Sequence, residues 1–205
     1  FTLDHTMGID GFLGGKYKMN FTEASIYKRF WLNNSWGKLD FYIAAGAQWD
    51  KVPFPLLIMP KVNLSWFAQP GTYTFQLMNN MEFLNDRYAM WHVSWDLNGK
   101  IFNRIPLLKK LKWREAVGFK MLYGQLTDKN NPYLNPDDGE LFVFPMRDGH
   151  PTSFVMDKNK PYMEWFVGVH NIFKILHIDY VRRVNYKYHP DVNKWGIRFM
   201  VMMTF

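Results

Sequence analysis

The chain has 205 residues, a formal net charge of +7, no cysteine, and an aromatic content of 19% made up of 18 Phe, 11 Tyr and 9 Trp. The missing cysteines exclude disulfides and thiolate-bound zinc or iron–sulfur centres. No run approaches the roughly 18 consecutive apolar residues of a transmembrane helix, and the ring content excludes a disordered chain. That many rings exceed what the core of one domain of this length takes up, so part of them must face lipid or a partner.

The mean hydropathy is that of a water-soluble chain. The basic balance suits an anionic partner without choosing between nucleic acid and lipid headgroups. No secretion leader is present, and the start at Phe1 instead of Met reads as a processed product or a fragment.

In chain order, the apolar residues keep a period of two, the signature of strands. Phe1, Leu3, Met7 and Ile9 alternate with Thr2, Asp4, Thr6 and Asp10. The stretch from Lys16 to Leu32 starts the same way and slips phase near Glu23, as at a bulge. Leu39, Phe41, Ile43, Ala45, Ala47 and Trp49 face away from Asp40, Tyr42 and Gln48. Tyr73, Phe75, Leu77, Met81 and Phe83 predict a further strand, and Ala89, Trp91, Val93, Trp95 and Leu97 the next.

Ile105–Lys110 has room for one amphipathic turn, after which Leu111 to Tyr123 alternates again. Thr127 to Lys160 is polar and reads as one large loop, with Leu141–Phe144 as an optional tenth strand or hairpin. Three last strands run through Met163–His170, Leu176–Val184 and Trp195–Phe205. Gly, Pro, Asn and Asp clusters, such as Asn85-Asp86 and Pro190–Asn193, separate the segments.

Nine segments of this kind define an all-β chain, and many match the length of a tilted strand crossing a bilayer. A soluble sandwich and a membrane barrel both alternate. Three features favour an antiparallel transmembrane β-barrel of eight to ten strands. Rings sit near segment ends, as in interfacial girdles: Trp31, Trp36, Trp49, Tyr123, Trp165, Trp195 and Phe205. Small residues (Gly46, Gly118, Gly168, Gly196) occupy the opposite face, where a crowded interior needs them. The chain ends on an alternating strand with a terminal Phe, the familiar ending of bacterial outer-membrane barrels. The alternative is a soluble β-protein with an aromatic ligand-binding face.

Residues 104–132 and 161–199 resemble a family from Bacteroidota: the uncharacterised outer-membrane barrel that follows a carboxypeptidase-regulatory-like β-sandwich. More distantly, Val167-Gly168-Val169, the turn Asn171–Lys174 and Asp179-Tyr180 look like the closing strands of the outer-membrane assembly and two-partner-secretion barrels. The resemblance implies residues 1–205 as a single barrel domain, or the carboxy-terminal portion of a larger one, in a Gram-negative outer membrane. The superfamily's Arg-Gly-Tyr/Phe loop motif is missing before Thr72, where Pro70-Gly71 stands.

Barrels of this kind keep short turns in the periplasm and long loops outside. With Phe205 periplasmic, nine crossings put the tight Asn85-Asp86 turn outside and Asn98–Lys110 inside, against that rule. An extra crossing at Leu141–Phe144, or a non-spanning Leu111–Tyr123 arm, restores it.

The expected lumen network comprises Asp40, Glu82, His92, Asp96, Lys112, Arg114, Lys120, Glu164, His170, His177, Asp179, Arg183 and Arg198. Mixed signs on one face predict cross-lumen ion pairs, as in a plugged barrel or a wet pore. His170 and His177 with Glu164 have the donor types of a metal site, but a hydrogen-bonded lumen pair is the better reading because no ligand motif such as HExxH occurs. A phospholipase needs Ser and His toward lipid, whereas Ser94 and His92 face inward. No GxSxG, P-loop or GxGxxG motif occurs.

The basic run Lys109-Lys110-Leu111-Lys112 lacks interleaved stacking rings, which argues against nucleic acid and for lipid phosphates at the membrane edge. The expectation is a non-enzymatic outer-membrane barrel without cofactor or metal. It would serve as an anchor, conduit or transport subunit with lipid and other envelope proteins as partners; a polypeptide translocase is the second reading.

Overall fold

The computed structural model describes residues 1–33, 36–69, 71 and 73–203, with the side chain of Phe12 left out. The chain is all-β. Eight strands form one antiparallel meander in sequence order: β1 (Thr2–Gly8), β2 (Met19–Trp31), β3 (Lys38–Gln48), β4 (Arg87–Asp96), β5 (Arg114–Gln125), β8 (Tyr162–Ile172), β9 (Leu176–Arg183) and β10 (Trp195–Val201). A separate hairpin joins β6 (Met146–Arg147) to β7 (His150–Pro151). The single α-helix among the described residues, α1 (Pro106–Leu111), falls on the predicted amphipathic turn and opens on proline, whose fixed φ suits a first helical position. Among the described residues β1 and β10 do not pair with each other, so the sheet is open and the expected closed barrel is not formed.

The registers carry one apolar face across the sheet. Ile43 pairs with Ile26 and Trp91, Trp91 with Met121, and Phe119 with Val93 and Trp165. These side chains project from one side of the sheet because alternate residues share a face. The other face carries Tyr42, His92, Lys120, Glu164 and Arg183. Here the small residues are needed: a Cβ on Gly118 would collide with the Phe166 ring, and one on Gly168 with the Asp179 carboxylate.

The predicted strand at Tyr73–Phe83 does not exist. β3 pairs directly with β4 along its length, so no sheet edge is left for it. The segment is instead folded against the charged face. Gln76, Leu77 and Met78 are buried in succession, a pattern incompatible with one-sided burial in a strand. Its amides are satisfied individually: Phe75 N–H donates to the Lys61 carbonyl at 2.9 Å, and the Asn79 amide to Glu82 at 3.0 Å.

Removing this crossing makes the tight Asn85-Asp86 turn the end of one long connection, 49–86, without either expected remedy, while 97–113 stays at the short-turn end. Leu141–Phe144 forms no strand, and the arm beginning at Arg114 does pair on both sides. One end of the meander now collects residues 9–18, 49–86, 126–161 and 184–194; the other collects 32–37, 97–113 and 173–175.

Candidate functional site: a plugged inner face

Residues 49–86 leave β3, cross the inner face and return to β4. Tyr73 stacks on Tyr42 of β3 with ring centroids 3.7 Å apart, and Phe75 packs edge-on to His92 of β4 and Tyr162 of β8. Farther along, the amides of Gln76 and Leu77 donate to the two oxygens of Glu164 on β8, at 2.8 and 3.1 Å. Lys120 Nζ of β5 donates to the Thr74 carbonyl at 2.7 Å, and the Arg198 guanidinium of β10 donates to the Gln76 carbonyl. One segment thus touches strands from β3 to β10, and the sheet curls around it. Its strap Trp66–Ala68 pairs with the outer edge of β10, the Ala68 amide donating to the Phe199 carbonyl at 2.7 Å.

The anchor of the plug is ionic. Arg183 of β9 is fully buried, and its guanidinium donates to both oxygens of Glu82 and to the Leu77 carbonyl. His189 Nδ1 lies 2.8 Å from the same carboxylate, and the Tyr162 ring lies 4.8 Å under the guanidinium carbon. Burial alone would raise the Glu82 pKa. The hydrogen bonds of His189 and Arg183, with the Arg183 charge, outweigh it and hold the carboxyl below its ordinary value. A charge pair buried this deeply holds only when its remaining hydrogen-bonding groups are also satisfied, as they are here.

Below the anchor, toward the short-turn end, a cavity of about 250 Å³ remains between plug and wall. Asp40, Asp96, His92 and Lys120 line it, together with His170 and His177, whose ring centroids lie 4.3 Å apart. His170 Nε2 is 2.8 Å from Asp179, and Asp40 is held by Arg29 at 2.6 Å and by the Tyr27 hydroxyl at 2.9 Å. His92 Nε2 and Gln76 Oε1 are buried without a protein partner among the described residues, so the cavity is lined in part by unused polar atoms. Among the described residues no group of three or more His, Asp or Glu side chains converges as metal ligands. Glu164, considered above as a third ligand to His170 and His177, is turned to the plug amides instead.

Of the expected inner-face residues, the structure gathers the cavity set and the Arg183 anchor, with Glu82 supplied by the plug and not by a strand. Arg114 holds a half-buried position beside His170 at the rim. Lys112 is a correction. It caps α1 in the left-handed conformation (φ 56°), exposed and outside the inner face.

The expected girdle rings do sit at strand ends: Trp49, Tyr123, Trp165 and Trp195 at the long-loop end, Trp31 and Trp36 at the other. Trp31 belongs by register to the charged face, pairing with Lys38. Phe205 lies outside the described residues. Sequence reasoning missed the whole plug, Gln76 and Leu77 above all. The available signals were the prolines Pro53, Pro55, Pro60 and Pro70 ahead of it and Asn79-Asn80 within it.

Fold and inner face together define an antiparallel β-meander with its ionic groups turned to an internal plug and its apolar side chains turned out. Over residues 1–135 the chain matches the C-terminal domain of a family of unknown function (DUF5686), and it belongs to that family. The match takes in the stretch 104–132 singled out above and stops short of 161–199. No curated protein and no solved structure matches the chain.

Proposed function

We propose that this chain is the wall and plug of an integral, non-enzymatic β-barrel in a Gram-negative outer membrane, serving as an anchor, conduit or envelope-assembly subunit. The observation that carries the reading is inverted polarity. On β8 and β9, Glu164 and Arg183 are 0% exposed, whereas outward side chains of the same sheet, Val167 and Ile197, are 45% and 41% exposed. A water-soluble sheet places its apolar face inside; this sheet does the reverse, as a lipid-facing wall requires. The end assignment agrees. The two longest connections lie at one end and the three-residue turn 173–175 at the other, which suits outside and periplasm respectively. The edge of β1, unpaired among the described residues, and a β10 edge held by the short Trp66–Ala68 strap fit a barrel completed by further strands.

The plug contacts favour an anchor or a gated conduit over an open pore, because Lys120, Arg183 and Arg198 are all committed to plug atoms. A second reading, a polypeptide-handling barrel, is supported by the Trp66–Ala68 strap on the β10 edge, an edge that an incoming strand would also use. Fractionation tests the main reading: the protein should stay with membranes through carbonate washing and require detergent for extraction. Recovery in the soluble fraction, folded and without detergent, overturns it. Single-channel recording then separates the conduit, which conducts, from the anchor, which does not.

A further inference from the structure

We propose that the connection 97–113 is a seat for anionic phospholipid headgroups in the periplasmic leaflet, an inference that rests on the membrane reading above and adds a specific ligand to it. Charge is the first argument. Residues 97–113 hold five Lys and Arg and no Asp or Glu, whereas the long connection 126–161 holds four bases against six acids. Most of the chain's net charge of +7 therefore sits on one short segment. Arg104, Lys109, Lys110 and Lys112 are exposed, and none forms an ion pair among the described residues.

The second argument is apolar. Leu107 is 68% exposed on α1, and Ile101, Ile105 and Leu111 are exposed beside it. A solvated basic loop gains nothing from four bare aliphatic side chains. A segment lying in a headgroup layer gains from both halves, cations to phosphates and aliphatics to the acyl boundary.

Position is the third argument. The connection joins β4 to β5, and both are paired on both sides, so the seat lies away from the open edges. Trp36 stacks on Trp95 at 5.8 Å with Lys100 4.5 Å above the Trp36 ring, an aromatic pair where an interface belongs. The segment is held in place: Phe102 N–H donates to the otherwise buried Glu115 carboxylate, and Asn171 Nδ2 to the Lys112 carbonyl at 2.7 Å. The cations are thus presented from a fixed scaffold and not from a floppy tail.

Native mass spectrometry of the whole chain in detergent, titrated with dioleoyl phosphatidylglycerol or dioleoyl phosphatidylcholine, tests the seat. The wild type should retain phosphatidylglycerol selectively. The triple variant K109Q/K110Q/K112Q should lose on the order of 100-fold of that affinity, three Lys near an anionic surface together being worth on the order of 3 kcal/mol. K129Q/K158Q/K160Q, on the opposite loop, should bind as wild type does. Equal retention of both lipids, or undiminished phosphatidylglycerol binding by K109Q/K110Q/K112Q, overturns the seat while leaving the barrel intact. A chain that folds only free of detergent and lipid overturns both, so the two failures are distinguishable.

Discussion

Strand β4 begins and ends in connections that behave in opposite ways. Residues 49–86, which lead into it, turn inward and bury Phe75, Leu77, Glu82 and Phe83 completely or nearly so. Residues 97–113, which leave it, stay outside and keep Leu107 and three lysines in the open. Both are rich in apolar residues, and among the described residues neither contains a strand. The difference lies in what their charges can reach. Glu82 has Arg183 and His189 waiting on the inner face, and Glu164 takes two plug amides, so the inward path leaves few polar groups without partners. The outer segment holds five Lys and Arg and no Asp or Glu, and burying so many cations would carry a heavy desolvation cost. Hydrophobicity alone does not decide whether a connection folds onto the inner face of the sheet; the availability of counter-charges does.

The strongest way to break that contrast is to remove Arg183. Arg183→Ala leaves Glu82 buried with His189 as its remaining charge-capable partner and strips the Leu77 carbonyl of a donor. Loss of one partner of a buried pair costs about 3–5 kcal/mol. Urea unfolding, followed by tryptophan fluorescence, should show a loss of that size, and chymotrypsin should gain access to the buried Phe83 of the plug. An unchanged midpoint with Phe83 still protected would mean that packing and not charge holds the plug.

Packing has its own measure in Phe75, which is 0% exposed among rings from two strands. Phe75→Ala should cost about 3–4 kcal/mol through the lost burial and the cavity left behind. In the same urea assay a loss below about 1 kcal/mol would show that the segment is a loose filler.

Acid should act on the same anchor more gently. Glu82 has its folded pKa depressed below the ordinary 4.5, so its contribution is fully present above that value and is lost as pH falls through the folded one. Cleavage after the buried Phe83, read with pepsin in acid and with chymotrypsin near neutrality, should rise only below about pH 4.5. Glu82→Gln should flatten this dependence; an opening that begins near neutrality would assign the switch to another group.

The wall was largely legible in the sequence and the plug was not, for a physical reason. Period-two alternation is a local property, so all eight strands of the meander and the helical turn at Pro106–Leu111 could be read one segment at a time. Tyr73–Phe83 imitates the same alternation with Tyr73, Phe75 and Leu77, yet its partners are side chains far along the chain, such as Glu164 and Arg183. No local pattern carries that information. The violated rule for loop lengths did mark the tight Asn85-Asp86 turn: removing the crossing that holds Asn79-Asn80 merges that turn into the long connection 49–86, while 97–113 keeps its place at the short-turn end. Parity assigns a face to each strand residue, so His92, Lys120, Glu164 and Arg183 fall together on one face. Lys112 was misread because α1 breaks that parity just before β5 begins at Arg114.

The smallest effect sharpens the contrast from its other side. Lys109 and Lys110 lie on the exposed surface of α1, where single charge changes move stability by no more than about 0.5 kcal/mol. Lys109→Gln and Lys110→Gln should therefore unfold at the wild-type urea concentration and leave Phe83 protected, in opposition to Arg183→Ala. The helix owes its place to Glu115, Asn171 and the Trp36–Trp95 stack, none of which these substitutions touch. A loss above about 1 kcal/mol would mean that the cations brace the fold, and the two ends of β4 would then differ in degree and not in kind.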